Sequence, residues 1–351
     1  MLVGIIAANN IRYSPYISYY TNILDTCDID YELIFADQER VEDSFGKKSY
    51  AVKWNSKVPR AIEYFSYSRK VISIIKKKHY DGLIMLTSIT AVYCSAFLKK
   101  YYSRRYIVDI RDYTHENIKP YYALEKIGIL NSAITVISSP QFVKFLPKYD
   151  YIVCHNINFD VDKKHRIWKK PDSNRIVIGY IGAVGYKQNC ISLMKMVQKD
   201  SRFELRIHGF EPGEPEVQNL VKEMNNERIT YHGPYKPIEK EDIINSVDIL
   251  FNTYGNGCPL LDYALSNKLY DALYLKKLLL TSPNTSMEEM SREIAYSIDY
   301  TTTDSLNGLY EWVMGLEKEK IQSFQDQRFN EFLTENMTTK KRIISIITGW
   351  K

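Results

Sequence analysis

The chain alternates between short apolar runs and longer segments that carry apolar residues at helical spacing. The runs are mostly continuous and rich in β-branched and aromatic residues, which is typical of parallel strands covered on both faces. In the first half the predicted strands are Leu2–Ala8, Tyr31–Ala36, Gly82–Leu86, Tyr106–Ile110, Ala133–Ser138 and Tyr151–Cys154. In the second half they are Ile176–Ile181, Phe203–His208, Ile229–His232, Ile249–Asn252, Leu278–Thr281 and Ala295–Ile298.

Helical segments separate these strands. Pro59–Lys78 is predicted to be a helix with Ile62, Phe65, Ile72 and Ile75 on its apolar face. Strands that alternate with helices form right-handed βαβ units and parallel sheets. Two such series predict an α/β protein with two Rossmann-like, doubly wound parallel-sheet domains that face a cleft.

We place the first domain at residues 1–160 and the second at residues 170–330. The boundary falls in Asp160–Asn174, a polar and charged stretch of the kind that links domains. Within the final stretch, about 335–351, a helix over Thr338–Thr348 is expected to return to the first domain. Open α/β sheets bind ligands beyond the carboxyl ends of their strands, so functional residues are expected in the loops there.

Composition indicates an ordinary soluble protein. Of its 351 residues, 45% are hydrophobic and 25% are charged. The five cysteines form no C-x-x-C pair, which disfavours a structural zinc site and favours a reducing compartment. The opening MLVGIIAANN lacks the basic segment of a signal peptide, and Gly82–Leu98 is shorter than the roughly 20 apolar residues of a spanning helix. We therefore expect a cytoplasmic protein.

The net charge of +5 arises in the first half of the chain. Basic residues concentrate there beside Tyr101 and Tyr102, namely Arg69, Lys70, Lys76, Lys77, Lys78, Lys99, Lys100, Arg104 and Arg105. Such a patch suits an anionic surface, here the inner face of the cell membrane, or a phosphorylated acceptor. Lysines are equally expected at helix C-termini, so both interpretations stay open. No nucleic-acid partner is expected.

A glycine-rich turn follows the strand Ile176–Ile181, in the run IGYIGAVGYKQN. Gly182 and Gly185 allow backbone amides to approach a phosphate at the start of a helix, and Lys187 adds a positive charge. A plain strand-to-helix turn would use the same glycines, so this alternative stays open.

A second candidate region is SNKLYDALYLKKLLLTS, from Ser266 to Ser282. At the predicted helix start, Ser266, Asn267 and Lys268 offer a hydroxyl, an amide and a charge to a diphosphate. Asp271 lies on the same helical face as Lys268, and a carboxylate there can accept hydrogen bonds from a ribose diol. An ordinary capped helix is the alternative interpretation.

The order of these two regions, joined by strand–helix pairs and followed by an apolar strand, resembles the GT-B glycosyltransferases of family 4. The resemblance extends over about residues 150–290, and the family pattern reads N-K-x-x-E-x-x-A-x-G-x-P-V-I where this chain has N-K-L-Y-D-A-L. It implies that Asp271 binds the ribose, that Lys268 contacts a phosphate and that Lys187 is the lysine of the glycine-rich turn.

The segment Val153–Asp162 resembles the interdomain loop of the same family, with Asn156 and Asp160 matched. Two positions depart from the pattern. Ala183 stands where many members have arginine, and Tyr263 stands where an upstream acid is found.

Between Asn252 and Ser266 lies a loop that carries Tyr254, Gly255 and Asn256. The resemblance implies that this loop binds the donor sugar. Asn-Gly and Gly-Asn pairs also favour simple solvent-exposed turns, so that alternative stays open.

The first domain is expected to bind the acceptor. Asn9, Asn10, Arg12 and Tyr13 follow the first strand, and amides and aromatic rings suit a sugar. A loop before a helix that begins at Ser14-Pro15 is the alternative interpretation.

The densest ionisable cluster after any strand is VDIRDYTHEN. Family 4 members often have a His-Asp pair at this place, where this chain has Arg111 and Asp112. We expect Asp112 to receive the acceptor proton or to orient the acceptor hydroxyl, with His115 as second candidate and Arg111 beside them. An Arg111–Asp112 ion pair that fixes the loop is the alternative.

No metal site or cofactor is predicted. Two D-x-D pairs occur, but Asp28 with Asp30 precedes the second strand and Asp160 with Asp162 lies in the domain boundary. Two carboxylates one residue apart are common by chance, so neither pair fits a metal-dependent transferase. We expect lysines and helix dipoles to neutralise the diphosphate.

The resemblance implies a metal-independent hexosyltransferase that uses a nucleoside-diphosphate sugar, with UDP favoured and configuration retained. The acceptor would be a glycan or lipid-linked glycan, as in the synthesis of capsule and other surface polysaccharides. A nucleotide-sugar 2-epimerase of the same fold is one alternative. A non-catalytic scaffold subunit that binds sugar nucleotides is the other, and the departures at Ala183 and Tyr263 favour it.

Overall fold

The computed structural model describes residues 1–14, 16–40, 48–54, 57–157, 161 and 166–350. The chain divides into two compact units. Unit 1 consists of Met1–Asn158 together with Leu333–Lys351, and unit 2 consists of Phe159–Phe332. Asp160, Asp162 and part of the predicted boundary lie outside the described residues.

The described residues of unit 1 form a seven-stranded parallel sheet. Its strands are β1 (Leu2–Ala7), β2 (Asp30–Asp37), β3 (Ser49–Lys53), β4 (Gly82–Leu86), β5 (Tyr106–Ile110), β6 (Ile134–Ile137) and β7 (Tyr151–Val153). Their order is β3-β2-β1-β4-β5-β6-β7, so the winding reverses between β1 and β4. Every residue of β4, β5 and β6 is buried, which explains why these strands are continuous apolar runs.

Helices cover both faces of this sheet. They are α1 (Ile17–Thr26), α2 (Arg60–Lys78), α3 (Ser88–Tyr101) and α4 (Lys119–Leu130), with short 3-10 turns at Ile11–Tyr13 and Pro140–Lys144. Tyr20 and Leu24 of α1 pack into a core that also contains Ile5 of β1 and Leu33 of β2.

Helix α2 buries a different face from the one that the sequence predicts. Ile75 is buried as expected, but it continues a stripe through Tyr67 and Val71, whereas Ile62 and Phe65 are exposed. Residues four apart share a helical face, so this stripe alone faces the sheet, and the Tyr67 hydroxyl donates to the last carbonyl of β1 (2.7 Å). The expectation for Ile62 and Phe65 is therefore wrong.

The described residues of unit 2 form a six-stranded parallel sheet. Its strands are β8 (Ile176–Ile181), β9 (Phe203–His208), β10 (Ile229–Gly233), β11 (Ile249–Asn252), β12 (Leu278–Thr281) and β13 (Ala295–Ser297). Their order is β10-β9-β8-β11-β12-β13, so the winding reverses between β8 and β11. The helices are α5 (Lys187–Lys199), α6 (Glu216–Met224), α7 (Lys240–Asn245), α8 (Pro259–Tyr263), α9 (Asn267–Leu275), α10 (Ser286–Ser291) and α11 (Asn307–Gly315).

The last helix, α12 (Lys318–Thr348), is much longer than the predicted Thr338–Thr348, because no glycine or proline interrupts the segment. Its residues up to Phe332 belong to unit 2, and those from Leu333 belong to unit 1. Just beyond it, Trp350 lies in the unit 1 core.

The predicted fold class is confirmed, because each unit is a doubly wound parallel sheet with helices. β3 is the strand that the sequence does not predict, since it is a short edge strand with only one buried residue, Val52. In the described part of the chain, no helix combines the length and the apolar character needed to cross a bilayer.

Candidate functional site

The candidate residues follow strands near the two points where the winding reverses. In doubly wound sheets a ligand binds outside the carboxyl ends of the strands at such a point. In unit 2 the glycine turn follows β8, the Tyr254 loop follows β11, and Lys268 lies in the first turn of α9. In unit 1 the candidate residues follow β1 and β5.

Glycine is required both in the turn after β8 and at the residue after the neighbouring strand β9. Gly182 has a φ of 124°, which side chains rarely allow. Its carbonyl lies so close to Gly209, the residue after β9, that a Cβ atom on Gly209 would be 1.8 Å from the oxygen. A Cβ atom on Gly182 would lie 3.7 Å from Nζ of Lys268. The turn thus brings bare backbone close to a lysine ammonium.

Lys268 is a half-buried cation that forms no ion pair within the described part of the chain. Its ammonium donates to the hydroxyl of Tyr254 and lies 5.9 Å from the ring centre of Tyr180. None of the described carboxylates forms an ion pair with it. Burial lowers the pKa of Lys268 to about 8, and the nearby charge of Asp271 opposes this shift. A buried charge normally has a counter-ion, so this cation is suited to an anionic ligand.

Aromatic rings and a helix cap position Lys268. Tyr254 stacks on Tyr186, with ring centres 4.4 Å apart and planes at 26°. The hydroxyl of Ser266 caps α9 by accepting the Lys268 amide (3.3 Å), and it also hydrogen-bonds with Tyr254. Tyr186 lies beside Lys187 in the glycine-rich run, yet the sequence reasoning did not select it.

Asp271 is buried one turn further along α9 and pairs with Lys240 at the start of α7. The Lys240 ammonium lies 2.9 Å and 2.7 Å from its two carboxylate oxygens. Burial raises the pKa of Asp271, and the charges of Lys240 and Lys268 oppose the shift. Burial raises the pKa of Tyr235, and the nearby charge of Asp271 raises it further. The sequence reasoning missed both Lys240 and Tyr235, because they belong to a different crossover.

The structure pairs Lys187 with acidic residues. Its ammonium lies 3.4 Å from a carboxylate oxygen of Glu211 and 3.4 Å from one of Glu216, and it donates to the carbonyl of Glu214. Glu211 also accepts the amide of Val217 (2.9 Å) in the first turn of α6. The charge of Lys187 is therefore neutralised within unit 2.

The loop after β11 is attached to the end of β12. The amide of Gly255, which has a φ of 107°, donates to the hydroxyl of Ser282 (3.1 Å). The side-chain amide of Asn256 donates to the carbonyl oxygen of Pro283, the residue after Ser282. Gly185 and Asn267 are exposed, and no heavy atom of a described residue lies within 4 Å of a Cβ atom built on Gly185.

In unit 1, the asparagines after β1 bond to the end of β2. Asn10 is buried; its side-chain amide donates to Asp37 (3.0 Å), and its oxygen accepts the backbone amide of Gln38 (3.0 Å). Asn9 accepts a hydrogen bond from the side chain of Gln38 (3.0 Å). These contacts hold two loops together.

Arg12 and Tyr13 both contact Glu39. Arg12 forms an ion pair with this carboxylate, and the Tyr13 hydroxyl donates to it (2.7 Å). The guanidinium group of Arg12 also lies 5.0 Å from the Tyr13 ring centre. The Tyr13 ring nevertheless remains largely exposed.

Arg111 has a structural partner in β5. It donates two hydrogen bonds to the buried carboxylate of Asp109, one of them at 2.8 Å, and another to the carbonyl of Cys154 (3.0 Å). Asp109 also accepts the hydroxyl of Tyr20 (2.6 Å). The ion pair of Arg111 is thus with Asp109 and not with Asp112, because Asp109 is buried beside it.

Asp112 and His115 lie on the loop between β5 and α4. Both residues are exposed, and no hydrogen bond or ion pair joins Asp112 to another described residue. The surrounding protein removes part of the water from the carboxylate of Asp112 and so raises its pKa, although the residue is at the surface. The positive charge of Arg111 opposes this shift. The His115 ring packs edge-on against Tyr121 at 5.5 Å. Asp112 is therefore available to a ligand.

Two buried carboxylates lie behind this loop. Glu116 accepts the amide of Thr114 (2.6 Å) and also hydrogen-bonds with Glu125. The structure, over the residues it describes, gives Glu125 no other hydrogen-bond partner. Burial, and then the charge of Glu116, raise the pKa of Glu125 to about 9. Glu125 therefore keeps its proton at neutral pH. The sequence carries no signal for this pair, which joins a loop to a helix.

The residue after β4 is also unusual. Thr87 has a φ of 74°, a rare conformation for a β-branched residue, and no described residue hydrogen-bonds to its inaccessible hydroxyl oxygen. Strained backbone of this kind concentrates at functional sites. Thr87 lies where the winding of unit 1 reverses, which agrees with a site at that edge.

Solved structures of other proteins share this architecture over nearly their whole length. Sucrose-phosphate synthase from Thermosynechococcus elongatus matches with a TM-score of 0.68 at 9% identity, covering 99% of this chain and 100% of that one. This chain has the GT-B fold. HepE of Anabaena, solved with UDP and glucose, shares the GT-B fold with a TM-score of 0.66 at 13% identity and coverages of 98% and 100%.

The GT-B fold also relates the chain to the lipopolysaccharide outer core galactosyltransferase WaaB, with a TM-score of 0.67, 14% identity and coverages of 97% and 99%. No protein-family model and no curated protein matches the sequence. The resemblance that the sequence suggests is thereby confirmed at the level of the GT-B fold.

Within the described residues of this GT-B chain, no three His, Cys, Asp or Glu side chains are grouped so that they could hold a metal ion. Of the two D-x-D pairs, Asp28 and Asp30 lie at the amino end of β2, and the other pair lies outside the described residues. Lys268 is the ammonium that lies beside Gly182, and one turn further along α9 Asp271 is paired with Lys240.

Proposed function

We propose that the chain is a glycosyltransferase of the family 4 type. It moves a hexose from a nucleoside-diphosphate sugar, with UDP favoured, to a glycan or lipid-linked glycan in surface-polysaccharide synthesis, and it retains configuration. The observation that carries the proposal is Lys268, a half-buried ammonium at the glycine turn after β8 that pairs with no carboxylate among the described residues. A diphosphate supplies that counter-ion. The N-K-L-Y-D-A-L run around Lys268 supports the same donor class.

The diphosphate lies between the Gly182 turn and the first turn of α9. The amides at a helix start favour an anion, and the absence of a side chain at Gly182 lets the backbone approach it. An anion beside Lys268 raises the pKa of the lysine, which keeps the ammonium charged while the leaving group gains charge. One such contact typically changes the rate by ~10²–10³. Lys187 contributes less, because Glu211 and Glu216 already neutralise it.

Asp271 accepts the ribose hydroxyls. A carboxylate has about four lone-pair positions, so Asp271 retains acceptor capacity while it is paired with Lys240. Lys240 fixes the orientation of the carboxylate. The donor sugar lies beside Tyr254 and the loop at Gly255 and Asn256, which the contacts with the end of β12 hold in place.

Asp112 receives the proton of the acceptor hydroxyl or orients that hydroxyl, and His115 is the second candidate. Arg111 is a positioning residue, because its hydrogen bonds to Asp109 and to the carbonyl of Cys154 fix the start of this loop. Of the acceptor candidates after β1, we assign the direct contact to Tyr13, whose ring is exposed. Asn9, Asn10 and Arg12 shape the loop.

The reaction is proposed to need no metal ion. Lys268 and the dipole of α9 neutralise the departing diphosphate instead. Chelator treatment is therefore expected to leave the transfer rate unchanged, and a rate that collapses on chelation and returns with Mg²⁺ or Mn²⁺ would refute this point.

The decisive experiment measures UDP binding by calorimetry and UDP release from a panel of UDP-sugars. Lys268→Ala and Asp271→Ala are expected to weaken UDP binding about tenfold or more, since each removes a charged hydrogen-bonding group. Asp112→Ala is expected to bind UDP normally and to lose transfer. Lys277→Ala, at the other end of α9, serves as the matched control.

The outcomes separate the three functions. Unchanged UDP affinity in both donor variants would overturn the donor site. Formation of an epimerised hexose instead of UDP would show an epimerase, and UDP-sugar binding without turnover of any acceptor would show a binding subunit.

A further inference from the structure

The loop that carries Asp112 is anchored on both sides of this residue. On the amino side, the backbone carbonyl of Arg111 accepts the hydroxyl of Ser138, which follows β6 (2.9 Å). On the carboxyl side, the backbone amide of Thr114 donates to the carboxylate of Glu116 (2.6 Å). Asp112 itself is exposed and makes no hydrogen bond or ion pair with the described residues, so these two anchors determine where its carboxylate lies.

A row of three hydroxyl groups reinforces the second anchor. The Thr114 hydroxyl lies 2.7 Å from that of Ser88, the first residue of α3, and the Ser88 hydroxyl lies 2.8 Å from that of Tyr121 in α4. The Thr114 hydroxyl also hydrogen-bonds with Glu116. The loop is thereby connected to two helices, but the bond that fixes its backbone still ends on the carboxylate of Glu116.

Glu116 in turn contacts a second carboxyl group. Glu125 of α4 is 1% exposed, Glu116 is 8% exposed, and the two side chains hydrogen-bond with each other. Ionised carboxylates have only acceptor atoms, so this bond requires that one of the two groups keeps a proton. Over the described part of the chain, no lysine or arginine forms an ion pair with either group. The other titratable groups that face Glu125 are the phenols of Tyr121 and of Tyr151 in β7, whose pKa values burial raises above the ordinary value.

We propose that Glu116 and Glu125 are positioning residues, and that the proton they share holds the loop in the arrangement that presents Asp112 to the acceptor. This role rests on the proposed function, because Asp112 is taken as the group that meets the acceptor hydroxyl. Neither glutamate touches a substrate. Glu116 holds the Thr114 amide, and Glu125 supplies the proton that allows Glu116 to stay buried beside it.

Loss of the shared proton would leave two negative charges in contact inside the protein, which is strongly unfavourable. Glu125 is fixed in a helix whereas Glu116 lies on the loop, so Glu116 is expected to move and the Thr114 amide to lose its acceptor. Burial, and then the charge of Glu116, raise the pKa of Glu125 to about 9, so the proton is present below about pH 9 and is lost as the pH rises through this value. The anchor is therefore expected to hold at neutral pH and to open in alkaline solution.

The test follows the ring signals of His115 by NMR as the pH is raised from about 7 to about 11. His115 lies in the loop and packs edge-on against Tyr121, with ring centres 5.5 Å apart, so movement of the loop changes the ring-current shift of its protons. In the wild type the signals are expected to shift with a midpoint at about pH 9. Glu125→Gln is expected to remove this shift, because an amide can donate to Glu116 but cannot lose the proton. Lys126→Gln, at the neighbouring exposed position of α4, is the matched control and should shift as the wild type does.

The kcat of transfer at saturating donor gives a second readout, which excludes the loss of UDP affinity that Lys268 is expected to cause. At about pH 10, one unit above the pKa, about a tenth of the molecules retain the proton, so kcat of the wild type is expected to be about tenfold lower than at pH 8. Glu125→Gln is expected to lack this fall. A role in packing alone would produce the same pH profile in both proteins. The signals of the other histidines verify that the chain remains folded over this range.

The outcomes separate the positioning role from the proposed function. If the wild type shows no shift of the His115 signals, or if the shift and the fall in kcat are the same in Glu125→Gln, the shared proton does not hold the loop and the positioning role is overturned. If the shift depends on Glu125 as expected but no pair of donor and acceptor gives transfer, the proposed function fails while the anchoring of the loop stands.

Discussion

Burial in the folded chain disfavours the charged form of Lys268 and lowers its pKa to about 8. The hydrogen-bond partner of its ammonium group is the neutral hydroxyl of Tyr254, which supplies no opposite charge. The lysine side chain is protonated below that pH and neutral above it. UDP affinity is therefore expected to fall as the pH rises through about 8. Since a bound diphosphate raises the pKa of Lys268 again, UDP binding near that pH should take up protons.

Calorimetry in buffers of different ionisation enthalpy measures this proton uptake directly. Lys268→Arg is the matched control, because a guanidinium group stays charged throughout this range and should show neither the fall in affinity nor the uptake. Equal pH dependence in both proteins would contradict the role of Lys268.

Glu125 predicts a pH dependence of stability in unit 1. Its pKa is about 9 in the folded chain and 4.5 in a free side chain. Between these values the folded state holds a proton that the unfolded state releases, so the free energy of unfolding falls as the pH rises. Glu125→Gln keeps the shape without the titration and is expected to stabilise unit 1 on the order of 2 kcal/mol at about pH 7 to 8.

Denaturant unfolding at several pH values measures this change. Glu223→Gln, on the exposed part of α6, is the control, and its free energy of unfolding should depend on pH as that of the wild type does. A Glu125→Gln protein that loses stability with rising pH as steeply as the wild type would refute the buried pair as the cause.

At the scale of elements, the contact between Gly82 and Trp350 attaches the end of the chain to β4. A Cβ atom on Gly82 would lie 1.9 Å from the indole ring. Gly82→Ala is therefore expected to destabilise unit 1 by roughly 1–3 kcal/mol, and to cost clearly less when Trp350→Ala has already removed the ring. Gly128→Ala is the control, because its Cβ atom would meet Ala91 at 3.4 Å.

The cycle of the two single variants and the double variant, followed by urea unfolding, gives the coupling energy. Additive effects would show that Trp350 does not pack on β4 in solution.

Most elements are predictable from the sequence because buried parallel strands are continuous apolar runs. β8, β9, β11 and β12 have the predicted bounds. The pattern fails where tertiary packing decides. In α2 both possible faces carry apolar residues, and only contact with the sheet selects Tyr67 and Val71 over Ile62 and Phe65.

The candidate site is predictable in part for the same reason. The sequence identifies Lys268 and Gly182 as site candidates because each lies at the end of a strand or the start of a helix, where neighbouring residues in the sequence determine the backbone geometry. The partners of Asp271 and Lys187 cannot be read from local patterns, because Lys240 and Glu211 come from other crossovers and any of many charged residues would fit. Long-range ion pairs therefore decide which lysine remains available to a ligand.

At the scale of the whole molecule, every group of the proposed donor site belongs to unit 2, whereas Asp112 belongs to unit 1. Saturating UDP is therefore expected to slow amide hydrogen exchange most strongly at residues 182–185 and 266–268, and much less at residues 111–118. A ligand at 100 times its Kd stabilises the state that binds it by about 2.7 kcal/mol, which corresponds to up to roughly a hundredfold slower exchange where opening releases the ligand.

Exchange followed by mass spectrometry locates this effect without any assay of transfer. Lys268→Ala at the same UDP concentration is the matched sample and should show little slowing. If UDP instead slowed exchange chiefly in the 111–118 loop of unit 1, the nucleotide would bind to the other sheet. The division of work in which unit 2 holds the donor and unit 1 holds the acceptor would then have to be reversed.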